Sequence, residues 1–200
     1  MNLMSFVPVN AKEYVKDLVC KHKLNIILVT ERKTKRGDFR VYNNGLKKIT
    51  LNKDLNKFRF LITLLHEIAH QLVYQTFGNI TRPHGIEWKK KFKDISKPFL
   101  FESIFPLSIL DNFKMYLKNP KSSTDLDKEL SISLSKFDVL NDYFFVEELE
   151  MGQLFLHRKR NIYKKISKKR KKYVCEKISN GKLYLFQPNT LILDYKNEKK

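Results

Sequence analysis

The chain has 200 residues, 42% of them apolar and 12% aromatic, enough to bury a core in one domain or in one domain plus an appendage, so wholesale disorder is excluded. Six Gly and six Pro exclude collagen-like and low-complexity classes, and two cysteines, Cys20 and Cys175, exclude a disulfide framework and a four-cysteine zinc site. The formal net charge of +19 points to a polyanionic partner or to a Lys-rich solvated surface.

From Asn10 to about Lys23, the residues Ala11, Tyr14, Val15, Leu18 and Val19 recur at helical spacing, with Asn10 as the expected N-cap and Glu13 completing a capping box. Asn25–Thr30 reads as a buried strand, residues 35–38 as a turn, Phe39–Asn43 as a second strand, Asn44-Gly45 as a hairpin turn and Lys48–Leu51 as a third strand. Leu55–Phe77 carries the longest helical pattern, with Gly78 as its C-cap. A basic helix is expected from about Gly85 to Ser96, another from Leu107 to Leu117, and a third from Thr124 with Leu126, Leu130 and Leu134 on one stripe. Five short runs then follow, Leu154–His157, Asn161–Ile166, Tyr173–Ile178, Lys182–Phe186 and Thr190–Asp194, with Asn180-Gly181 between two of them. They predict a small β-barrel or strongly bent sheet.

Charge divides the chain in the same way. Residues 1–100 hold 20 Lys/Arg and 8 Asp/Glu, residues 101–150 hold 5 and 10, and residues 151–200 hold 15 and 3. The expected organisation is a domain over 1–100, an acidic helical connector over 101–150 and a small basic β-domain over 151–200. Its cluster is Arg158-Lys159-Arg160, Lys164-Lys165 and Lys168–Lys172, interleaved with Tyr163, Tyr173 and Tyr184. Such a domain is suited to single-stranded nucleic acid, and Lys89–Lys91 with Lys93 extend the basic surface. No run nears the ~20 apolar residues of a membrane span. The N-terminal sequence lacks a basic-then-apolar leader, and two reduced thiols suit the cytosol, so the expectation is a cytoplasmic protein without a membrane.

The long helix contains His66-Glu67-Ile68-Ala69-His70. Four residues at ~100° each bring His66 and His70 onto one face, where both imidazoles can hold one metal ion. Glu67 stands about a quarter-turn away, suited to act as a base toward water activated by that ion. A catalytic zinc usually has three protein ligands, and His84 is the third candidate, 14 residues on. The other two histidines, His22 and His157, neighbour Lys or Arg and read as surface residues. A Glu67 without a partner in LLHEIAHQLV would cost several kcal/mol, which favours a metal site over chance.

These residues resemble the SprT-like metalloprotease family, which includes the Spartan proteases that act on DNA–protein crosslinks. Its pattern is HExxH on one helix followed by His-Gly-x-Glu/Asp-Trp/Phe opening the next, here His84-Gly85-Ile86-Glu87-Trp88. The resemblance covers roughly residues 5–100. It implies an α+β, zincin-like protease domain of helix, three-stranded sheet, HExxH helix and His-bearing helix. It also implies Zn2+ held by His66, His70 and His84, with Glu67 as the catalytic glutamate. Family members often carry a zinc ribbon, which this chain cannot form because it has no CxxC.

The expected activity is therefore zinc-dependent peptide hydrolysis, on a protein substrate held on nucleic acid. Tyr42 and Tyr74 are the candidate oxyanion donors. Trp88 and Phe92 read as packing between helix and core, and Glu87 as a cap or as a hydrogen-bond partner of a ligand His. The alternatives are a nucleic-acid-binding protein whose zinc is structural or idle, and a metal-dependent hydrolase of non-peptide substrates.

Overall fold

The apolar run Leu61–Val73 forms the centre of the first part of the chain. In the computed structural model, which describes residues 2–32, 34–138, 143–158 and 161–195, it lies in a 21-residue helix, α2, Lys57–Phe77. Asn56 starts this helix by accepting from the backbone N–H groups of Phe58 and Arg59. Gly78, at φ 62°, ends it in a conformation that a side chain disfavours. Leu61, Leu64, Leu65, Ile68 and Ala69 are fully buried. At ~1.5–3 kcal/mol for each large side chain, that burial holds α2 against its neighbours far more firmly than helix propensity does.

The chain divides into two units, Met1–Asp138 and Val139–Lys200. In the first, α1 (Lys12–Lys21) precedes β1 (Ile26–Val29), β2 (Gly37–Val41) and β3 (Lys47–Asn52). The sheet order is β1-β3-β2, with β1 parallel and β2 antiparallel to β3. Ile49 and Leu51 of the central strand are buried in the same core as α2. The β2–β3 hairpin turns at Asn44-Gly45 as expected, with Gly45 at φ 77°. Asn10 is not the cap of α1. It lies in a short 3-10 turn, Val9–Ala11, and its amide donates to the Ser103 carbonyl at 2.7 Å.

After α3 (Ile86–Ser96) come α4 (Leu107–Lys118) and α5 (Lys128–Ser135). Ile109, Leu110, Phe113, Leu130 and Leu134 belong to the α2 core, so this acidic stretch is part of the first unit as far as Asp138. The expected helix from Thr124 is shorter than its stripe suggests. Thr124–Leu126 is a 3-10 turn with Leu126 exposed, and α5 begins only after Asp127 caps it through the Leu130 N–H.

The second unit is one antiparallel sheet, β4 (Tyr143–Phe145), β5 (Leu154–His157), β6 (Asn161–Lys169), β7 (Lys172–Lys177), β8 (Leu183–Phe186) and β9 (Leu191–Asp194). Its order is β4-β9-β5-β6-β7-β8. The five expected strands are present and β4 is an addition. Among the described residues β4 and β8 are outer strands, so the sheet is open and the expected barrel is not formed. A bulge between Lys165 and Ser167 interrupts the β6–β7 register.

Its core is Val146, Phe155, Tyr163, Tyr173, Cys175, Phe186 and Ile192. Two of the three tyrosines expected on a basic surface are therefore interior. Lys165 is interior too, 2% exposed, with Nζ donating to the Glu147 and Leu149 carbonyls. Residues 159 and 160 of the basic cluster lie outside the described residues. His157 is half-buried against Phe186 and not a surface residue, and His22 is likewise half-buried. No helix among the described residues is long and apolar enough to cross a membrane.

Candidate metal centre

His66 and His70 stand one turn apart on α2, and the turn before α3 brings His84 to them. That turn is tight. The Gly85 N–H donates to the Arg82 carbonyl, and a Cβ at Gly85 would lie 2.8 Å from that oxygen. His84 itself takes φ 57°, a left-handed conformation that costs a non-glycine residue of order 1–3 kcal/mol and persists where the surroundings enforce it. The three Nε2 atoms are 3.2 Å (66–70), 3.0 Å (70–84) and 3.1 Å (66–84) apart.

This triangle is not a hydrogen-bond ring. A given Nε2 has either a proton or a lone pair, so three mutual contacts must include one donor–donor or acceptor–acceptor pair. A cation at the centre removes the conflict. Tetrahedral coordination at Zn–N distances of about 2.0–2.1 Å separates ligand nitrogens by about 3.3 Å, close to the spacings here. Burial, together with the neighbouring imidazoles, pushes His66 down to about 2 and His70 to about 4, and burial also lowers His84. All three are therefore neutral near pH 7, the form that offers a lone pair to a metal. Among the described residues they form the one group of three or more His, Cys, Asp or Glu side chains close enough to share an ion.

Trp88, 1% exposed, lies against all three rings, with centroids 4.6, 5.3 and 4.7 Å from His66, His70 and His84. Its indole N–H donates to the His66 carbonyl at 3.4 Å, and Phe92 stacks on it at 5.0 Å. The expected packing role holds for both residues. The contact with the imidazoles is a further feature, which the spacing does not signal because His84 lies outside α3. Glu87 sits in the first turn of α3, where a negative charge suits the helix N-terminus. Among the described residues no hydrogen bond joins it to a ligand imidazole.

Glu67 is 7% exposed and lies against β2. The Phe39 backbone N–H faces its carboxylate and favours the ionised form, and an added Cβ at Gly37 would meet its Oε1 at 2.7 Å and Thr63 Cγ2 at 2.8 Å. Burial and then the Asp38 carboxylate push Glu67 up to about 8, against the Phe39 N–H, Arg32 and Lys35. A cation held by the imidazoles would draw it back down. Gly37, read from sequence as turn material, is the residue that lets β2 approach the carboxylate. Tyr74 packs on Phe39, and Tyr42 lies under Lys48 Nζ at 5.0 Å. These contacts do not select either tyrosine as an oxyanion donor.

The SprT-like family model matches residues 10–109, half of the chain. The chain belongs to the SprT-like family. A 30-residue segment is 57% identical to Protein SprT of Glaesserella parasuis serovar 5 (strain SH0165), covering 15% of this chain and 19% of that relative's length. No solved structure gives a significant match. The SprT-like segment contains α1, the three-stranded sheet, α2 and α3, hence all three imidazoles and Glu67, and it ends inside α4.

Proposed function

We propose that this chain is a zinc-dependent metallopeptidase of SprT-like type, with His66, His70 and His84 as the metal ligands and Glu67 as the catalytic base. The observation that carries this reading is the convergence of three neutral imidazoles with no fourth protein donor among the described residues. Structural zinc sites are closed by four protein ligands, whereas catalytic ones keep a position open. That difference speaks against a structural or idle site.

Zinc at this donor set would supply Lewis-acid polarisation of a peptide carbonyl and a lowered pKa for water. Glu67 takes a proton at its carboxylate, holds it in a pocket closed by Gly37 and Thr63, and returns it to the leaving amine. The Phe39 N–H orients that carboxylate. Beside it, β2 is an outer strand of its sheet, whose unpaired backbone groups suit an extended peptide laid alongside.

We further infer that the second unit contacts nucleic acid through phosphates. The β6–β7 turn consists of Arg170-Lys171, flanked by Lys169 opposite Lys172, with Arg170 at φ 54°. Two-residue turns favour Asn and Gly, and like charges directly opposite destabilise a hairpin. A polyanion offsets the second cost. With Tyr163 and Tyr173 interior, backbone charge and not base stacking is the mode this unit favours. The two free thiols, one exposed and one buried, support a cytoplasmic location.

The decisive experiment incubates the zinc-loaded chain with a basic protein, free and bound to DNA. Wild type should cleave, a chelator should stop it, added zinc should restore it, and Glu67→Gln should be inactive. A zinc-loaded wild type that cleaves neither form, or cleaves no better than Glu67→Gln, overturns the peptidase reading.

A further inference from the structure

The segment beyond the SprT-like match reaches back to the α2–β2 contact at Asp125. Asp125 takes Arg36 in a two-pronged pair, Nε to Oδ2 and Nη2 to Oδ1, both at 3.0 Å. It also accepts from Arg59 Nη1 at 3.3 Å. Arg36 immediately precedes Gly37, whose Cα rests on Thr63 and Glu67. Arg59, 1% exposed, stands on α2 eight residues before Glu67. Because Arg59, Thr63 and Glu67 follow at four-residue steps, they line one side of α2 over about 12 Å.

The start of β2 is therefore joined to α2 at two levels. At one, Asp125 bridges the two guanidinium groups. At the other, the Gly37 backbone packs on Glu67 and Thr63, which leaves the Phe39 N–H facing the Glu67 carboxylate. Among the described residues, further hydrogen bonds of the loop before β2 run to β3. Arg32 bonds Asn52 and Thr50, the Asn52 amide donates to the Lys35 carbonyl, and the Asn52 N–H donates to the Arg36 carbonyl. Without the Asp125 carboxylate, two cations face each other, one of them buried with Asp138 as its remaining ionic partner among the described residues. Their repulsion acts directly on the α2–β2 spacing.

We propose that Asp125 is a positioning residue. By drawing Arg36 and Arg59 together it fixes the start of β2 against α2 and so sets the Phe39 N–H on the Glu67 carboxylate. The catalytic consequence rests on the peptidase reading, but the geometric one does not.

The test uses the zinc-loaded full chain and four variants, Asp125→Asn, Arg36→Ala, the double variant and Asp125→Glu. Arg36→Ala leaves Arg59 paired with Asp125 and Asp138, so it tests the β2 arm without stripping the buried cation. Hydrogen exchange at the Phe39 amide should quicken by about tenfold in each single variant, with no further gain in the double. Amides of Leu64–Leu72 and the zinc content should be unchanged, and Asp125→Glu should recover most of the protection. Turnover should fall about tenfold in kcat with KM retained, as expected for a small displacement of a catalytic group. Wild-type Phe39 exchange in both single variants overturns the proposal, and so does equal loss of protection throughout α2. If Phe39 is loosened yet no form of the chain cleaves protein, the positioning role stands and the peptidase reading falls. If wild type cleaves and the variants match it in exchange and kcat, the positioning role falls alone.

Discussion

Three Nε2 atoms within 3.2 Å of one another leave at least one like-with-like contact unless a cation sits among them. Zinc should therefore bind at about one equivalent per chain, and metal analysis of His84→Ala should show a sharp loss. Since ligand binding to the folded state raises its stability, a chelator should lower the melting temperature of wild type and leave that of His84→Ala nearly unchanged. An undiminished zinc content in His84→Ala would remove His84 from the ligand set. Glu67 has a different task. Its carboxylate is spoken for by the Phe39 N–H, and Gln preserves its shape. Glu67→Gln should keep its zinc while peptide cleavage falls by about 10²–10⁴-fold, the usual contribution of a general base. Loss of metal along with activity would make Glu67 a ligand instead.

At the scale of elements, the close approach of β2 to α2 depends on a missing side chain. An added Cβ at Gly37 would stand 2.7 Å from Glu67 Oε1 and 2.8 Å from both Glu67 Cγ and Thr63 Cγ2, so Gly37→Ala must push the strand off the helix. Overpacking of this kind costs about 1–3 kcal/mol, and here it also displaces the Glu67 carboxylate. Gly45→Ala is the control. Its Cβ meets nothing within 4 Å, but its φ of 77° strains a side chain by about 1–2 kcal/mol. Denaturant melts should show both variants destabilised, and only Gly37→Ala should lose turnover at full zinc occupancy. If Gly37→Ala keeps wild-type kcat, the fit between β2 and Glu67 is not catalytic. The elements themselves were largely legible because their signals are local. The α2 stripe, its Gly78 cap and the Asn44-Gly45 hairpin are each encoded within a few residues. What was not legible depends on distant partners. Asn10 looked like a cap, yet its amide is taken by Ser103, 93 residues away. Gly37 and Arg36 looked like turn residues because Glu67 and Asp125 are invisible to a local pattern. The three-residue β4 carries too short a run to announce itself and exists through its pairing with β9.

At the scale of the whole molecule, the boundary expected from charge, near residue 150, and the boundary in the structure, after Asp138, differ for a physical reason. Charge reports the surface, whereas the division follows the two cores, and α4 and α5 bury Phe113, Leu130 and Leu134 with α2. The cores, and not the charge, therefore define a fragment of the second unit. A fragment starting at Glu150 would lack β4, whose backbone pairs with β9 from Tyr143↔Leu193 to Phe145↔Leu191, so the fragment should start at residue 139. We predict that it binds single-stranded DNA with little regard to sequence. If four or five phosphates are neutralised, log affinity should fall against log salt with a slope of about −3 to −3.5. Replacing Lys168, Lys169, Arg170, Lys171 and Lys172 with Ser should flatten that slope toward zero. Those residues are exposed around a turn of poor intrinsic chemistry, so the variant should fold at least as stably as wild type. The same substitutions in the full chain should leave zinc content unchanged, which separates the hairpin from the metal centre. Equal salt sensitivity before and after substitution would place the phosphate contacts elsewhere, and a folded fragment without salt-dependent binding would leave the hairpin charge as a solvated surface.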